Sequence, residues 1–310
     1  MTEEFAPSGF DSTRSRRREW TDIWRAFAAS IRHSWLMESD WTNPLLFFIY
    51  SVAKPLGSLL LLVAMLEIVG GSAKDQLRSF IVVGSVLWAI VQSGLGGPAW
   101  MILDAREFYG TLKYIYVSPG NFLAVVLGRG VAQIAIGSMG AAITLVVGVL
   151  LLGVPLATDR VDWLLLALTT LVGVPSILAI GLVLAAVCLQ TSQESWSYPE
   201  AAGGALLLLS GVVFPLSVLP IPVQAIGLLS PLSWWIEGVR HAAMPGGVSG
   251  IGGPGTLYSS VTGTPSPSAS EILVGLAVTG AVAILAGLMA FRASERRARD
   301  RGLLDLTTGS

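Results

Sequence analysis

The charged residues that could do chemistry are concentrated in one short polar stretch between two long apolar runs. Asp104, Arg106, Glu107 and Lys113 lie in this stretch. Such charges can fix the register of a docking surface for another protein. They do not belong to a nucleotide site or a hydrolase, because the chain has no G-K-[ST] loop and no G-x-S-x-G motif. We therefore expect this chain to have no enzymatic activity.

Two other basic residues, Lys54 and Arg129, lie close to the ends of apolar runs. A charge inside a membrane span indicates a functional role, whereas a long basic side chain near its end can snorkel to the interface. Both interpretations stay open for both residues. His33 and His241 are far apart, and the single Cys188 lies in an apolar run, so we expect no metal site and no disulfide.

Composition indicates an all-α integral membrane protein. The chain is 53% hydrophobic and 13% charged with a mean hydropathy of +0.69, against about 25% charged residues in soluble domains. A net charge of -1 gives no reason to expect nucleic-acid binding. A span needs about 20 apolar residues to cross a bilayer. Six spans are predicted, within or near residues 41–70, 79–103, 120–153, 163–189, 201–214 and 272–291.

The N-terminal part of the chain is predicted to contain a flexible cytoplasmic tail, residues 1–18, and an amphipathic helix, residues 19–40. Aromatic and apolar residues recur on one face of this helix at helical spacing. Tryptophans favour the headgroup region, so the helix is expected to lie in the membrane interface. The residues of this face are Trp20, Ile23, Trp24, Phe27, Ile31, Ser34 and Trp35.

The distribution of lysine and arginine predicts the orientation, because cytoplasmic loops carry an excess of these residues. The side with both termini and the polar stretch would hold 13 of them, and the other side would hold 4. Both termini are therefore expected in the cytoplasm, and the C-terminus is expected to lie in a cytoplasmic tail at residues 293–310. The 13 are Arg14, Arg16, Arg17, Arg18, Arg25, Arg32, Arg106, Lys113, Arg292, Arg296, Arg297, Arg299 and Arg301, against Lys74, Arg78, Arg160 and Arg240.

The uncharged run after residue 201 is too long for one straight span, and prolines interrupt it. We expect a crossing helix to about Phe214, and then a re-entrant hairpin at residues 215–241 on the outer face. Irregular backbone at membrane depth requires burial in protein or a wet cavity. Glu237 and Arg240 are one helical turn apart and could pair. Residues 242–270, rich in Gly, Ser, Thr and Pro, are predicted to form a flexible external loop.

This ordered set of features, over roughly residues 20–300, resembles the ABC-2 type permease family, the membrane subunits of bacterial ATP-driven exporters. The residues that carry the resemblance are Glu107, Gly110-Thr111-Leu112, Ser118-Pro119, Ser210-Gly211, Phe214-Pro215-Leu216, Leu219-Pro220, Ser230-Pro231-Leu232, Glu237-Gly238 and Arg240.

The resemblance implies that residues 104–119 form a cytoplasmic coupling helix between spans two and three. This helix would dock into a groove of the ATPase, and the outer pieces would cap the transport path. Leu112, Ile115 and Tyr116 fall at i, i+3 and i+4, so a partner groove is expected to cover this apolar face. The coupling residues are Arg106, Glu107, Gly110, Thr111, Leu112, Ile115 and Tyr116. The outer-gate residues are Phe214, Pro215, Pro220, Pro222, Pro231, Glu237 and Arg240.

The expected function is thus that of a permease subunit that moves a hydrophobic, amphipathic or lipid-linked substrate outward through the bacterial plasma membrane. The resemblance implies two copies of a separate ATPase, which would bind ATP and Mg, and a second permease chain that gives a homodimer within membrane lipid. The chain itself would hold no cofactor. The alternatives are an ion-coupled transporter using Lys54, Glu67 and Arg129, which should show inverted repeats, and a membrane anchor without transport.

Overall fold

The computed structural model describes residues 12–40, 44–69, 74–118, 120–153, 160–191 and 196–302. Within the helices, the side chains of 12–19, 39–40, 44–52, 54–55, 69 and 74–76 lie outside the description, and the prediction for Lys54 falls there. In the described ranges the helices are α1 Ser12–Asp40, α2 Pro44–Val69, α3 Lys74–Leu103, α4 Leu112–Val117, α5 Phe122–Leu152, α6 Trp163–Gln190, α7 Ser197–Leu209, α8 Ile221–Leu229, α9 Pro231–Ala243, α10 Leu257–Thr262 and α11 Ala269–Asp300.

Four of the described helices are long and apolar enough to cross a membrane. They are α3 with its continuation to Phe108, α5, α6 and α11. Helix α2, of 26 residues, occupies the predicted first span. Helix α7 occupies the predicted fifth span, but its 13 residues extend only about 20 Å at 1.5 Å per residue.

The prediction that the fifth crossing helix continues to Phe214 is wrong, because α7 ends at Leu209. Gly211 has a φ of 66°, in the left-handed region, which ends the right-handed helix. The backbone carbonyls that follow the helix are satisfied by a side chain from α9 rather than by another helical turn. The chain therefore turns within the protein at this point.

Helices α6 and α11 pack side by side along much of their length, as do α3 and α5. Small residues allow this close approach. A Cβ atom on Gly287 of α11 would lie 2.4 Å from the carbonyl oxygen of Ala179 on α6. Backbone contact of this kind is common where helices associate in membranes.

The segment that follows α9 is predicted to be a flexible external loop, but part of it is folded. It contains α10, whose N-cap residue Thr256 accepts a hydrogen bond from Ser259 N at 3.1 Å. The amide of Leu257 donates to Oε1 of Gln224 on α8 at 2.7 Å. Residues 242–270 are therefore attached to the helices that precede them.

Helix α11 continues into the predicted C-terminal tail, which was expected to start at residue 293, and ends at Asp300. Its 32 residues rise about 48 Å, well beyond the roughly 30 Å of a bilayer core. Phe291, Ser294 and Ala298 lie on one face and are buried. This packing explains why the helix persists through a strongly basic sequence.

Candidate functional site

Residues 104–118, which we call the connector, join α3 to α5 at one end of the bundle. The sequence predicts a single helix here, but the structure has two pieces, a π-helix at Asp104–Phe108 and α4. The amide of Tyr109 donates to Asp104 O at 3.0 Å, and Gly110 has a φ of 58°. Only glycine adopts this conformation without strain, so Gly110 separates the two pieces. Pro119 lies outside the described residues.

The buried position of Arg106 differs from the expectation that its charge fixes the register of a docking surface. Its side chain is 3% exposed. One guanidinium nitrogen, Nη1, donates to the carbonyl oxygen of Cys188 at the end of α6 at 3.0 Å, and Nε donates to Glu107 Oε1 at 2.7 Å. Arg106 therefore attaches the connector to α6.

The apolar face of α4 is covered by the chain's own core, so the expectation of a partner groove over this face is wrong. Leu112 is 1% exposed and packs in one buried cluster with Phe291 and Ala298 of α11. Ile115 and Tyr116 are half-buried against the same cluster. The predicted last span, residues 272–291, includes Phe291 but stops before Ala298.

The opposite face of the connector exposes a set of large side chains that sequence analysis did not select. We call these residues the aromatic patch. Lys113 lies beside the patch, with Nζ 5.4 Å from the ring centroid of Tyr114. Helical spacing could have identified part of this patch, because residues 114 and 117 lie on the side of α4 opposite Leu112. The patch comprises Phe108, Tyr109, Tyr114 and Val117.

A groove of about 1260 Å³ lies between α1, the end of α3, the connector and α5. Thr111 and Ile115 of the connector line it, together with Tyr109 and Tyr114 of the aromatic patch. Residues from α1 form the facing wall. These are Asp22, Arg25, Ala26, Ala29, Ser30, His33, Ser34 and Met37.

Arg129 lies in this groove and is almost fully buried. Its Nη2 atom is 3.1 Å from Asp104 Oδ2 and 3.6 Å from Glu38 Oε1. Glu38 also accepts a hydrogen bond from Gln133 Nε2 at 2.8 Å. Arg129 is therefore paired with carboxylates of α1 and of the π-helix, and its depth in the membrane stays a prediction.

Helix α1 begins at Ser12, earlier than predicted, and lies against α5. Ser30 Oγ donates to Val125 O at 2.6 Å, which ties the middle of α1 to α5. The predicted apolar face is divided, since Phe27 and Ser34 lie towards the protein whereas Trp20 and Trp24 are exposed. The exposed tryptophans are the ones available to a membrane interface.

At the opposite end of the bundle, Arg240 of α9 is buried among backbone carbonyls. Its Nη1 donates to Gly211 O at 2.7 Å, and Nη2 donates to Val212 O at 2.7 Å and to Phe80 O at 3.2 Å. The guanidinium lies 3.5 Å from the centroid of the Phe80 ring. Glu237 is also buried and accepts from Gly250 N at 2.6 Å and from Ser249. Glu237 and Arg240 therefore have buried hydrogen-bond partners elsewhere in the chain, whereas the sequence suggested an exposed contact between the two.

The prolines of this region start short helical pieces, consistent with the lack of an N–H donor. We call residues 216–243, which contain a 3₁₀ turn at Leu216–Val218 and helices α8 and α9, the hairpin. Pro215 precedes the 3₁₀ turn, Pro220 and Pro222 flank the start of α8, and Pro231 begins α9. Phe214 is half-buried beside them. In the described part of the chain, no cluster of His, Cys, Asp and Glu could hold a metal ion.

The family model described as ABC-2 type transporter matches residues 25–244. The chain belongs to the ABC-2 type transporter family. The match includes most of α1, the connector and the hairpin, and so covers both of the sites described above. No curated protein matches the chain in a sequence comparison.

Membership of the ABC-2 transporter family, together with the apolar helices, identifies a multi-pass membrane protein and the permease of an ABC transporter. It also implies association with an ABC ATPase subunit. In its described ranges the ABC-2 permease contains helices and no strands, and four of those helices are suited to membrane crossing.

Proposed function

We propose that this chain is the permease subunit of an ABC exporter that moves a hydrophobic, amphipathic or lipid-linked substrate outward. The bundle end that holds α1 and the connector faces the cytoplasm, and the hairpin faces outward. The excess of lysine and arginine on the first side supports this orientation. Helices α2 and α7 complete six spans in the bacterial plasma membrane, with both termini in the cytoplasm.

The observation that carries the proposal is the two-sided character of the connector. Its inner face is joined to the core by Leu112 and to α6 by Arg106, whereas its outer face exposes the aromatic patch. A contiguous exposed apolar patch next to a groove is typical of a protein interaction site. A partner that binds the patch can therefore displace the ends of α3 and α5 directly.

We assign the patch and the adjoining groove to the ATPase subunit. The groove is lined by Arg25 and His33 as well as by Asp22, so it offers charges of both signs at its α1 wall. Charges at an interface set specificity and orientation more than affinity. ATP and Mg bind to the ATPase, of which two copies serve a homodimer of this chain, and the permease itself carries out no hydrolysis.

The hairpin serves as the outer gate. Its helices begin at or next to prolines, Glu237 and Arg240 of α9 are buried, and Pro220 and Pro222 are exposed. Membership of the ABC-2 family favours this assignment over an ion-coupled transporter. The ion pairs of Arg129 with Asp104 and Glu38 also speak against a role for Arg129 in ion coupling. Family membership equally favours transport over a passive anchor.

The test is to express the chain with its cognate ABC ATPase and reconstitute the complex in lipid nanodiscs. The ATPase should co-purify, and its hydrolysis rate should depend on the presence of the permease. Single cysteines at positions 109 and 300 should react with a membrane-impermeant maleimide only in permeabilised cells, and a cysteine at 255 should react in intact cells. Failure to bind the ATPase, or labelling at 109 in intact cells, would contradict the proposal.

A further inference from the structure

The connector and the hairpin lie at opposite ends of the bundle, yet the same two helices contact both. Helices α6 and α11 pack against α9 of the hairpin, and their other ends contact the connector. We call these two helices the α6–α11 pair. The contacts at each end and the stiffness of the pair decide whether it can link the two sites.

At the connector end, each helix of the pair contributes one polar contact. Arg299 Nε on α11 donates to the hydroxyl of Tyr116 at 2.6 Å, and its guanidinium lies 5.5 Å from the centroid of the Tyr116 ring. Cys188 O on α6 accepts from Arg106 at 3.0 Å. The connector is therefore attached to both helices of the pair.

At the hairpin end, each helix receives one tryptophan of α9. A Cβ atom on Gly173 of α6 would lie 1.9 Å from Trp235 Cδ1, and one on Gly275 of α11 would lie 2.6 Å from the Trp234 ring. The lack of a side chain at each glycine thus leaves the space that a tryptophan indole occupies. Such close packing transmits displacement, because protein interiors leave little free volume.

The pair itself is held together along its length. Ser294 Oγ donates to Ala186 O at 2.7 Å, Gln190 Nε2 donates to Ser294 O at 2.8 Å, and Gly287 meets the backbone of Ala179. From Gly275 to Arg299, α11 is uninterrupted helix, a rise of about 36 Å at 1.5 Å per residue. Contacts of this kind favour movement of the two helices as one unit.

We propose that Arg299 is a positioning residue that makes the α6–α11 pair follow the connector, so that a movement imposed by the ATPase reaches the hairpin. The inference rests on the proposed function, in which the connector receives the ATPase and the hairpin gates the outer face. Arg299 acts through Tyr116 and contacts neither the substrate nor the nucleotide.

The contact is suited to testing because it contributes little to folding. Arg299 is largely exposed, and the Tyr116 ring keeps its edge-on contact with Phe122, 5.6 Å between centroids, when only its hydroxyl is removed. Tyr116→Phe and Arg299→Ala should therefore insert normally. Arg296→Ala is the matched control, because it removes the same charge one turn away on α11.

The experiment uses the complete complex of permease and ATPase in nanodiscs, with one bimane label on a cysteine at Ile226, an exposed position of α8. The native Cys188 is buried and does not compete for the label. The readout is the change in bimane fluorescence when ATP and vanadate are added. We expect Tyr116→Phe and Arg299→Ala to reduce this change at least threefold, with ATPase affinity unaltered, and Arg296→Ala to retain it.

Two further variants separate linkage from general damage. The double variant Tyr116→Phe/Arg299→Ala should behave like either single variant, because both changes remove the same contact. Arg299→Lys, which keeps a cation and a donor, should restore at least half of the fluorescence change. A full fluorescence change in Arg299→Ala, in a complex that binds its ATPase normally, would overturn the linkage alone. A wild-type chain that binds no ATPase would instead overturn the proposed function.

Discussion

Substitution of Val117 by Asp is the most direct test of the aromatic patch as the ATPase surface. Val117 is 83% exposed at the end of α4, so a charge at this position is solvated in the free permease and leaves the fold intact. Burying a valine side chain in an interface is worth about 1.5–3 kcal/mol. Loss of that contribution corresponds to roughly a tenfold to hundredfold weaker association with the ATPase.

Val261 supplies a matched control because it is the same residue, 77% exposed, on α10 at the opposite end of the bundle. Both variants should reach the membrane at the wild-type level and show the same melting temperature. Affinity for the ATPase, measured by titrating the purified ATPase onto permease in nanodiscs, should fall only in Val117→Asp. Equal affinity for Val117→Asp and Val261→Asp would refute the assignment of the patch.

Three further substitutions test the internal contacts by thermal unfolding of the detergent-solubilised permease. Arg240→Met removes the guanidinium that donates to three buried carbonyl oxygens, at about 1–3 kcal/mol for each lost bond. The variant no longer has to bury a charge, which offsets part of this loss, so we expect a net destabilisation of about 3 kcal/mol. A melting temperature equal to that of the control variant Arg292→Met would contradict this expectation. Leu112→Asp buries a charge in the core and should abolish stable expression rather than only uncouple the ATPase, and normal yield would show that α4 is not packed there. Ser268→Ala removes the capping-box bond from Glu271 N to Ser268 Oγ, while the Ser268 backbone amide keeps its bond to Glu271 Oε2. The variant should cost about 1 kcal/mol, with Ser266→Ala as the neutral comparison.

The helical pieces of the hairpin could be predicted because prolines mark where a helix must start or stop. The sequence predicts a re-entrant hairpin at residues 215–241, and α8 and α9 lie in this region. The position of the connector could also be predicted from the sequence, because its charged residues separate two apolar runs. Local chain chemistry determines both features, so local sequence is sufficient to find them.

The face of α4 that meets a partner could not be predicted in the same way. The spacing of Leu112, Ile115 and Tyr116 identifies an apolar face but does not say which neighbour covers it. The cover comes from α11, about 180 residues later in the chain. A signal was present, since Ser294 and Ala298 continue the helical face of Phe291 beyond the last apolar run.

Arg240 shows the same limit more sharply. Its spacing from Glu237 suggests a pair within one helix, whereas its acceptors are Phe80 O on α3 and the carbonyls of Gly211 and Val212 after α7. Sequence spacing cannot reveal a partner on another helix. The guanidinium supplies a donor to the carbonyl groups of Gly211 and Val212, which lie beyond the end of α7.

The environment of Arg240 also has a consequence for the order in which the chain is made. Its three carbonyl acceptors belong to residues 80, 211 and 212, and all of these precede position 240 in synthesis. A guanidinium that enters a bilayer alone costs at least about 2.5–3.5 kcal/mol. Because the ribosome delivers the acceptors first, the arginine can go directly to a prepared pocket, and biogenesis avoids an interval in which its charge is unsatisfied.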